Sequence, residues 1–195
     1  MRVVFICLLM SMVAPLSLLG QTDSVKVRFP IWTFHEDSVT TYGVSVGLAS
    51  VDPKLVTTNG IKVELLGMGC LIPLIPGAPT PVSESELDSL KRHADSIVNG
   101  LELSLSGTFN QGIVTGISAG YIGQGHLQVN GLSVALIGNF AQEHNGLQLA
   151  ASNWAGAMNG FQVGLINQCF GGKGIQIGLW NVNPDRSMPL INFHF

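Results

Sequence analysis

Gly116-Ile117-Ser118-Ala119-Gly120 is the place in this 195-residue chain where residue types and spacing first suggest a reaction. It matches the G-x-S-x-G pattern, in which a serine on a sharp strand-to-helix turn is presented for nucleophilic attack. His126 is the candidate base that follows it. The pattern works only where a strand, a tight turn and a helix succeed one another, and here it lies inside a run with strand periodicity. Small residues at 116, 118 and 120 therefore suit a close neighbour better than a nucleophile. His35-Glu36-Asp37 could be a divalent-cation site, but successive strand residues point to opposite sides and do not converge. A loop rim is expected there. His126 and His144 fit satisfied side chains at strand ends. The chain has no P-loop, no G-x-G-x-x-G between strand and helix, and no C-x-x-C. No catalytic, cofactor-binding or metal-ligating residue is assigned, no cofactor is implied, and the chain reads as non-enzymatic. A hydrolase using Ser118 and His126 on a β wall is the weakest of the functional readings.

The elements that carry these residues are set by a repeat. Gly131, Gly146, Gly160 and Gly174 are spaced by 15, 14 and 14 residues. They open the segments Asn130-Gly-Leu-Ser-Val-Ala-Leu, Asn145-Gly-Leu-Gln-Leu-Ala, Asn159-Gly-Phe-Gln-Val-Gly-Leu and Lys173-Gly-Ile-Gln-Ile-Gly-Leu. Degenerate copies begin at Asn59-Gly60, Asn99-Gly100 and Gln111-Gly112. Within each copy large aliphatic residues alternate with Ser, Gln, Ala or Gly, the period-two pattern of a strand. The Asn-Gly and Lys-Gly pairs are expected to be turns. Strands are predicted near 24–32, 42–50, 59–68, 99–107, 112–121, 126–138, 145–153, 159–168, 173–182 and 188–195. No proline falls between Val82 and Asn183, as a continuous ladder requires.

Two all-β architectures share this pattern. One is a small antiparallel barrel of about 8–10 strands in an outer membrane, aliphatic side chains on lipid and small polar ones on a filled lumen. The other is a β-solenoid of 14-residue repeats, aliphatic side chains packed inside and Gln and Asn stacked in ladders. Like residues at like repeat positions favour the solenoid. Charge favours the barrel, because between Asn99 and Asn181 only Glu102, Glu143 and Lys173 are ionic. A soluble solenoid is expected to wet its outside with Lys and Glu. The barrel is the preferred expectation, with the lipid bilayer as its partner.

The termini and one insertion complete the organisation. Met1-Arg2, the apolar run Val3–Leu19 and the small residues before Gln21 have the layout of a secretory signal peptide over 1–20. The remainder, 21–195, reads as a single β domain with repeats over 99–182 and an insertion at 70–98. That insertion has a Pro-rich loop (Pro73, Pro76, Pro79, Pro81) and then a capping box, Ser83 to Glu86, opening an amphipathic helix at about 84–97. The helix over 83–98 is a candidate docking element for a protein partner. Cys70 and Cys169, left after signal removal, could pair in an oxidising compartment or serve as buried apolar residues. With 9 basic against 12 acidic residues no basic face exists, and nucleic-acid binding is excluded.

The Gly-x-Gln-x-Gly-Leu-x-Asn copies, with the ending Ile-Gln-Ile-Gly-Leu-Trp-Asn-Val-Asn…Pro-Leu-Ile-Asn-Phe, resemble the surface-repeat-containing proteins of Gram-negative bacteria. The likeness covers about 99–195 and, more loosely, 42–69. The C-terminal Phe195 is similar to the last-strand signal of outer-membrane barrels. The resemblance implies export, an envelope location and a structural or surface-interaction role. It implies no reaction and no catalytic residue.

Overall fold

The computed structural model describes residues 25–49, 55–74 and 81–195. The expected signal peptide over 1–20 lies outside them. The described chain forms twelve strands: β1 (Lys26–Arg28), β2 (Ile31–Thr33), β3 (Val39–Gly47), β4 (Val56–Glu64), β5 (Ser96–Ser104), β6 (Gly112–Gly120), β7 (Gly123–Ala135), β8 (Gly138–Leu149), β9 (Ser152–Val163), β10 (Ile166–Cys169), β11 (Gly172–Val182) and β12 (Ser187–His194). Each pairs in parallel with the equivalent strand of the next turn, from β3 through β11. The order is sequential and ends at β1 and β12, which do not meet. This is a β-solenoid, and it corrects the expected antiparallel barrel. A meander barrel alternates strand direction and joins its first strand to its last. Here every repeat returns in the same direction and stacks on the one before.

The Asn-Gly pairs are not the turns. Gly43, Gly60, Gly100, Gly116, Gly131, Gly146 and Gly160 all have φ between 127° and 141°, and they stack in register in mid-strand. Each is the corner at which one continuous strand changes walls. A Cβ on Gly131 would lie 2.0 Å from the carbonyl oxygen of Gly116, so both backbone dihedral and rung spacing demand glycine. Several predicted strands are therefore displaced towards the C-terminus, β3 to β5 by about three residues, whereas those at 112–121 and 188–195 match β6 and β12 to within a residue. The reversals fall instead at segments such as Leu136-Ile137 and Ala150-Ala151, where Ile137 donates to the Ile122 carbonyl and Ala151 to that of Leu136.

The core runs opposite to expectation. Residues two after the corner glycine point inward: Ser45, Lys62, Glu102, Ser118, Ser133, Gln148, Gln162 and Gln176, all buried. The aliphatic side chains between them point out. Gln162 donates to Gln148 at 2.8 Å and Gln176 to Gln162 at 2.8 Å. The same Nε2 atoms reach across the narrow interior to the Gln168 and Val182 carbonyls. A second buried ladder runs Asn139 to Asn153 to Asn167 to Asn181 at 3.0, 2.9 and 2.7 Å, each donor also bonding a carbonyl at the coil's reversal. A polar interior is stable only when its amides find partners, and identical residues on consecutive rungs supply them in these two ladders. Apolar core remains two residues before the corner, where Val98, Val114 and Val129 stack.

β12 reverses and pairs antiparallel with β11, capping the stack. Pro189 in this edge strand blunts further pairing. The insertion lies against the other wall, the one formed by the strand segments before the corner. A 3-10 segment, Met68–Leu74, places buried Ile72 against Gly123 and Gly138. Helix α1 (Glu84–Arg92) begins at Ser83, whose hydroxyl accepts from the Glu86 amide as the capping box predicts. It is shorter than expected. Ile97 and Val98 belong to β5, where Val98 joins the valine stack. Lys91 pairs with Glu143 and the Val82 amide donates to Gln142 at 3.2 Å, tying the insertion to β8.

Candidate functional site

Ser118 and His126 do come together. The Ser118 hydroxyl lies 2.9 Å from His126 Nε2 and donates to Glu102 Oε2 at 3.0 Å. Glu102 Oε1 accepts from Lys62 Nζ at 3.0 Å, and Lys62 also donates to Ser96. Thr108 donates to Glu64 at 2.6 Å beside this cluster. The residue types are those of a serine-histidine-acid triad, but the connections are not. A triad acid holds the imidazole by Nδ1 and leaves Nε2 for the serine. Here Glu102 sits 3.3 Å from the same Nε2 that Ser118 touches, and Nδ1 has no partner. Lys62, Glu102 and Ser118 are at most 1% exposed, and His126 is 6% exposed. No substrate carbonyl can approach a serine enclosed between rungs of the stack.

The electrostatics suit a structural cluster. Burial pushes the Glu102 carboxyl up, but the Lys62 ammonium and the Ser118 hydroxyl outweigh it and hold the group below its ordinary range. Burial, aided by Lys62, lowers His126 against the opposing pull of Glu102 and Glu64, so the imidazole is neutral. The cluster is thus one ion pair, Lys62–Glu102, bridged by Ser118 to a neutral histidine. The periodicity of the opening repeats contains this signal. Ile61-Lys62-Val63-Glu64 and Leu101-Glu102-Leu103 carry their charges at the position Gln148 occupies later, or one alternation beyond. The placement was missed because charges were expected outside.

The other candidates separate. His144 occupies the valine row between Val129 and Met158, where burial pulls its value down to about 4. His35 Nε2 accepts from the Leu48 amide, and Glu36 pairs with Lys26 and Arg28 at 3.8 Å, the expected loop rim. Among the described residues no group of His, Cys, Asp and Glu could hold a metal ion. Cys70 is exposed and Cys169 buried, both free, and burial pushes the Cys169 thiol up to about 11.

The outward side of the strands after the corner is the more distinctive site. Val44, Ile61, Leu101, Ile117, Leu132, Leu147, Phe161 and Ile175 form one row, each in register with the next. A parallel row runs from Val46 to Ile177, and a third carries Leu65, Leu105, Leu136 and Leu165 at the rim of the reversals. Leu105 is 73% exposed, Leu136 58% and Phe161 48%. Alternation turns Lys62, Glu64 and Glu102 inward, so none of the charges in these strands reaches this wall. Where Ala119 interrupts the second row, an open groove of about 420 Å³ forms between Val63, Leu65, Leu103, Leu105, Tyr121 and Val134.

Comparison of the chain with protein-family models, curated proteins and solved structures finds no match. The site is therefore read from its own geometry. On the insertion side Trp154 is sheltered, 3% exposed, with its ring stacked on Phe140 at 6.3 Å and tilted against the exposed Phe170 at 5.7 Å between centroids. Nothing in the described chain shelters the wall after the corner.

Proposed function

We propose that this chain is an exported, non-enzymatic β-solenoid that acts by contact, its bare aliphatic wall being the binding surface. The observation that carries the reading is the direction of the charges. Ionic side chains of the first rungs are buried, at an energetic cost that only a tight cluster offsets, while aliphatic ones face outward. A folded monomer rarely exposes a contiguous apolar patch above a few hundred Å², and larger ones mark interaction sites. The signal-like N-terminus and the surface-repeat resemblance support a place at a Gram-negative cell envelope.

The test combines fractionation with a wall variant. The exported chain should leave the envelope fraction under carbonate or urea and, at high dilution where copies are apart, should bind an apolar fluorescent dye while folded. At that dilution Val134→Lys should weaken the dye binding. Resistance to carbonate together with a heat-shifted gel mobility would return the membrane-integral reading, and dye binding unchanged in the variant would remove the wall from the account.

A further inference from the structure

We propose that the aliphatic wall is the interface of a two-fold homodimer, two copies packing wall to wall; this rests on the reading of the wall as the binding surface. Size is the first argument. The outward positions of the strands after the corner span about 20 Å along the chain and about 40 Å up the stack, at roughly 3.3 Å per residue and 4.8 Å per rung. That is about 800 Å² per copy and about 1,600 Å² in all, the extent of a stable protein–protein interface.

Anatomy is the second argument. The wall has an apolar centre, and a polar rim follows the corner, where Asn99 donates to Asn59, Asn145 to Asn130 and Asn159 to Asn145 at 2.8 to 2.9 Å. Apolar centres with polar rims are the rule at protein interfaces. A wall meant for lipid headgroups carries lysine and arginine along its margin. Here Lys173 alone stands at the corner margin among the described residues, Lys62 is buried, and Lys91 and Arg92 lie on the insertion.

Relief selects the arrangement. On this wall β7 has β2–β6 before it and β8, β9, β11 and β12 after it, so it lies beside the middle of the stack. An in-plane two-fold axis along β7 reverses the rung order between copies and sets β9 of the second copy over β5 of the first. Val163 and Leu165 of the second copy then face Leu103 and Leu105, where the groove lies open. Val134, on the axis, faces its own counterpart.

The experiment is sedimentation equilibrium of the exported chain in detergent-free buffer, with Val134→Lys, Val134→Glu and their equimolar mixture. The wild type should be a dimer. Each variant should weaken dimerisation by at least roughly 100-fold, as a buried unpaired charge does, and the mixture should restore it. Val134 points outward, so both variants should keep the wild-type circular dichroism. If either does not, Val134→Cys in a Cys70→Ser background, joined by a short bis-maleimide, reads the same contact without a charge. A dimer indifferent to both charges and not cross-linked at 134 overturns this interface. A monomer that floats with phosphatidylethanolamine–phosphatidylglycerol vesicles in a Val134-dependent way overturns the dimer and leaves the wall a lipid-binding surface. A monomer that binds neither vesicles nor an apolar dye overturns both.

Discussion

Lys62→Met isolates the part of the core that carries charge. Lys62 and Glu102 are each 1% exposed, and the ammonium sits 3.0 Å from the carboxylate. Removing the cation leaves Glu102 with Ser118 and a neutral His126 as partners, in a space water does not enter. Breaking one side of a buried ion pair costs about 3–5 kcal/mol, against a total stability of about 5–15 kcal/mol for a folded domain. Methionine fills much of the vacated volume, so the loss reads charge rather than cavity. Lys62→Met/Glu102→Gln should recover most of it, because the amide still accepts from Ser118 and carries no charge. Repeat stacks can open in parts, so the readout should be rung-resolved hydrogen exchange alongside urea unfolding. Protection should fall first in β3 to β6 and last in β9 to β12. Single variants costing under about 1 kcal/mol each, or a double variant as damaged as the two singles combined, would refute an enclosed, coupled pair.

Acid should destabilise the fold through its histidines. His126 and His144 have folded values below the unfolded value near 6.5, so their stabilisation is complete above that pH and is lost as pH falls below it, towards about 4 for His144. At about 1.4 kcal/mol per pH unit, His144 accounts for roughly 3 kcal/mol. His144→Val, which extends the valine row, should flatten the dependence of the melting temperature on pH, and a wild-type profile already flat from pH 7 to 4.5 would contradict this. Gly131→Ala should cost more than about 3 kcal/mol, from an unfavourable φ of 138° and a collision at 2.0 Å, whereas Gly171→Ala, whose added Cβ would meet nothing nearer than 3.7 Å, should cost little; equal melting temperatures for the two would deny the corner its role. Ser118→Ala should cost about 1–3 kcal/mol by removing the hydroxyl that links Glu102 to His126, with no change in ester or phospholipid turnover. Any turnover that depends on Ser118 would revive the hydrolase reading.

Periodicity exposed the repeat, its strands and the helix cap, because each rests on local spacing. The two faces of a strand cannot be told apart in that way. Leu147-Gln148-Leu149 alternates identically whether leucine or glutamine lines the interior, and the usual preference for apolar cores pointed the wrong way. The decisive clue was Gln148, Gln162 and Gln176 recurring at one position. An amide gains most from a copy of itself one rung away when both are buried, and leucine at a repeat position gains equally on either side. Strand direction was hidden for a related reason. Asn-Gly is a hairpin signal when φ is positive at the asparagine as well, but here only the glycine adopts it, and the chain bends without reversing. The buried Lys62–Glu102–Ser118–His126 cluster draws on β4, β5, β6 and β7, and only the register of the stack unites them.

Pairwise electron–electron distances along one outward row test the stack itself. Spin labels at Phe161 combined in turn with Leu101, Ile61 and Val44, diluted with unlabelled chain, lie four, five and six rungs apart. At about 4.8 Å per rung the distances should rise steadily, to roughly 19, 24 and 29 Å. Distances that level off or shorten as the rung separation grows would mean that the sheet closes on itself, and the parallel stack with its polar interior and aliphatic wall would be wrong.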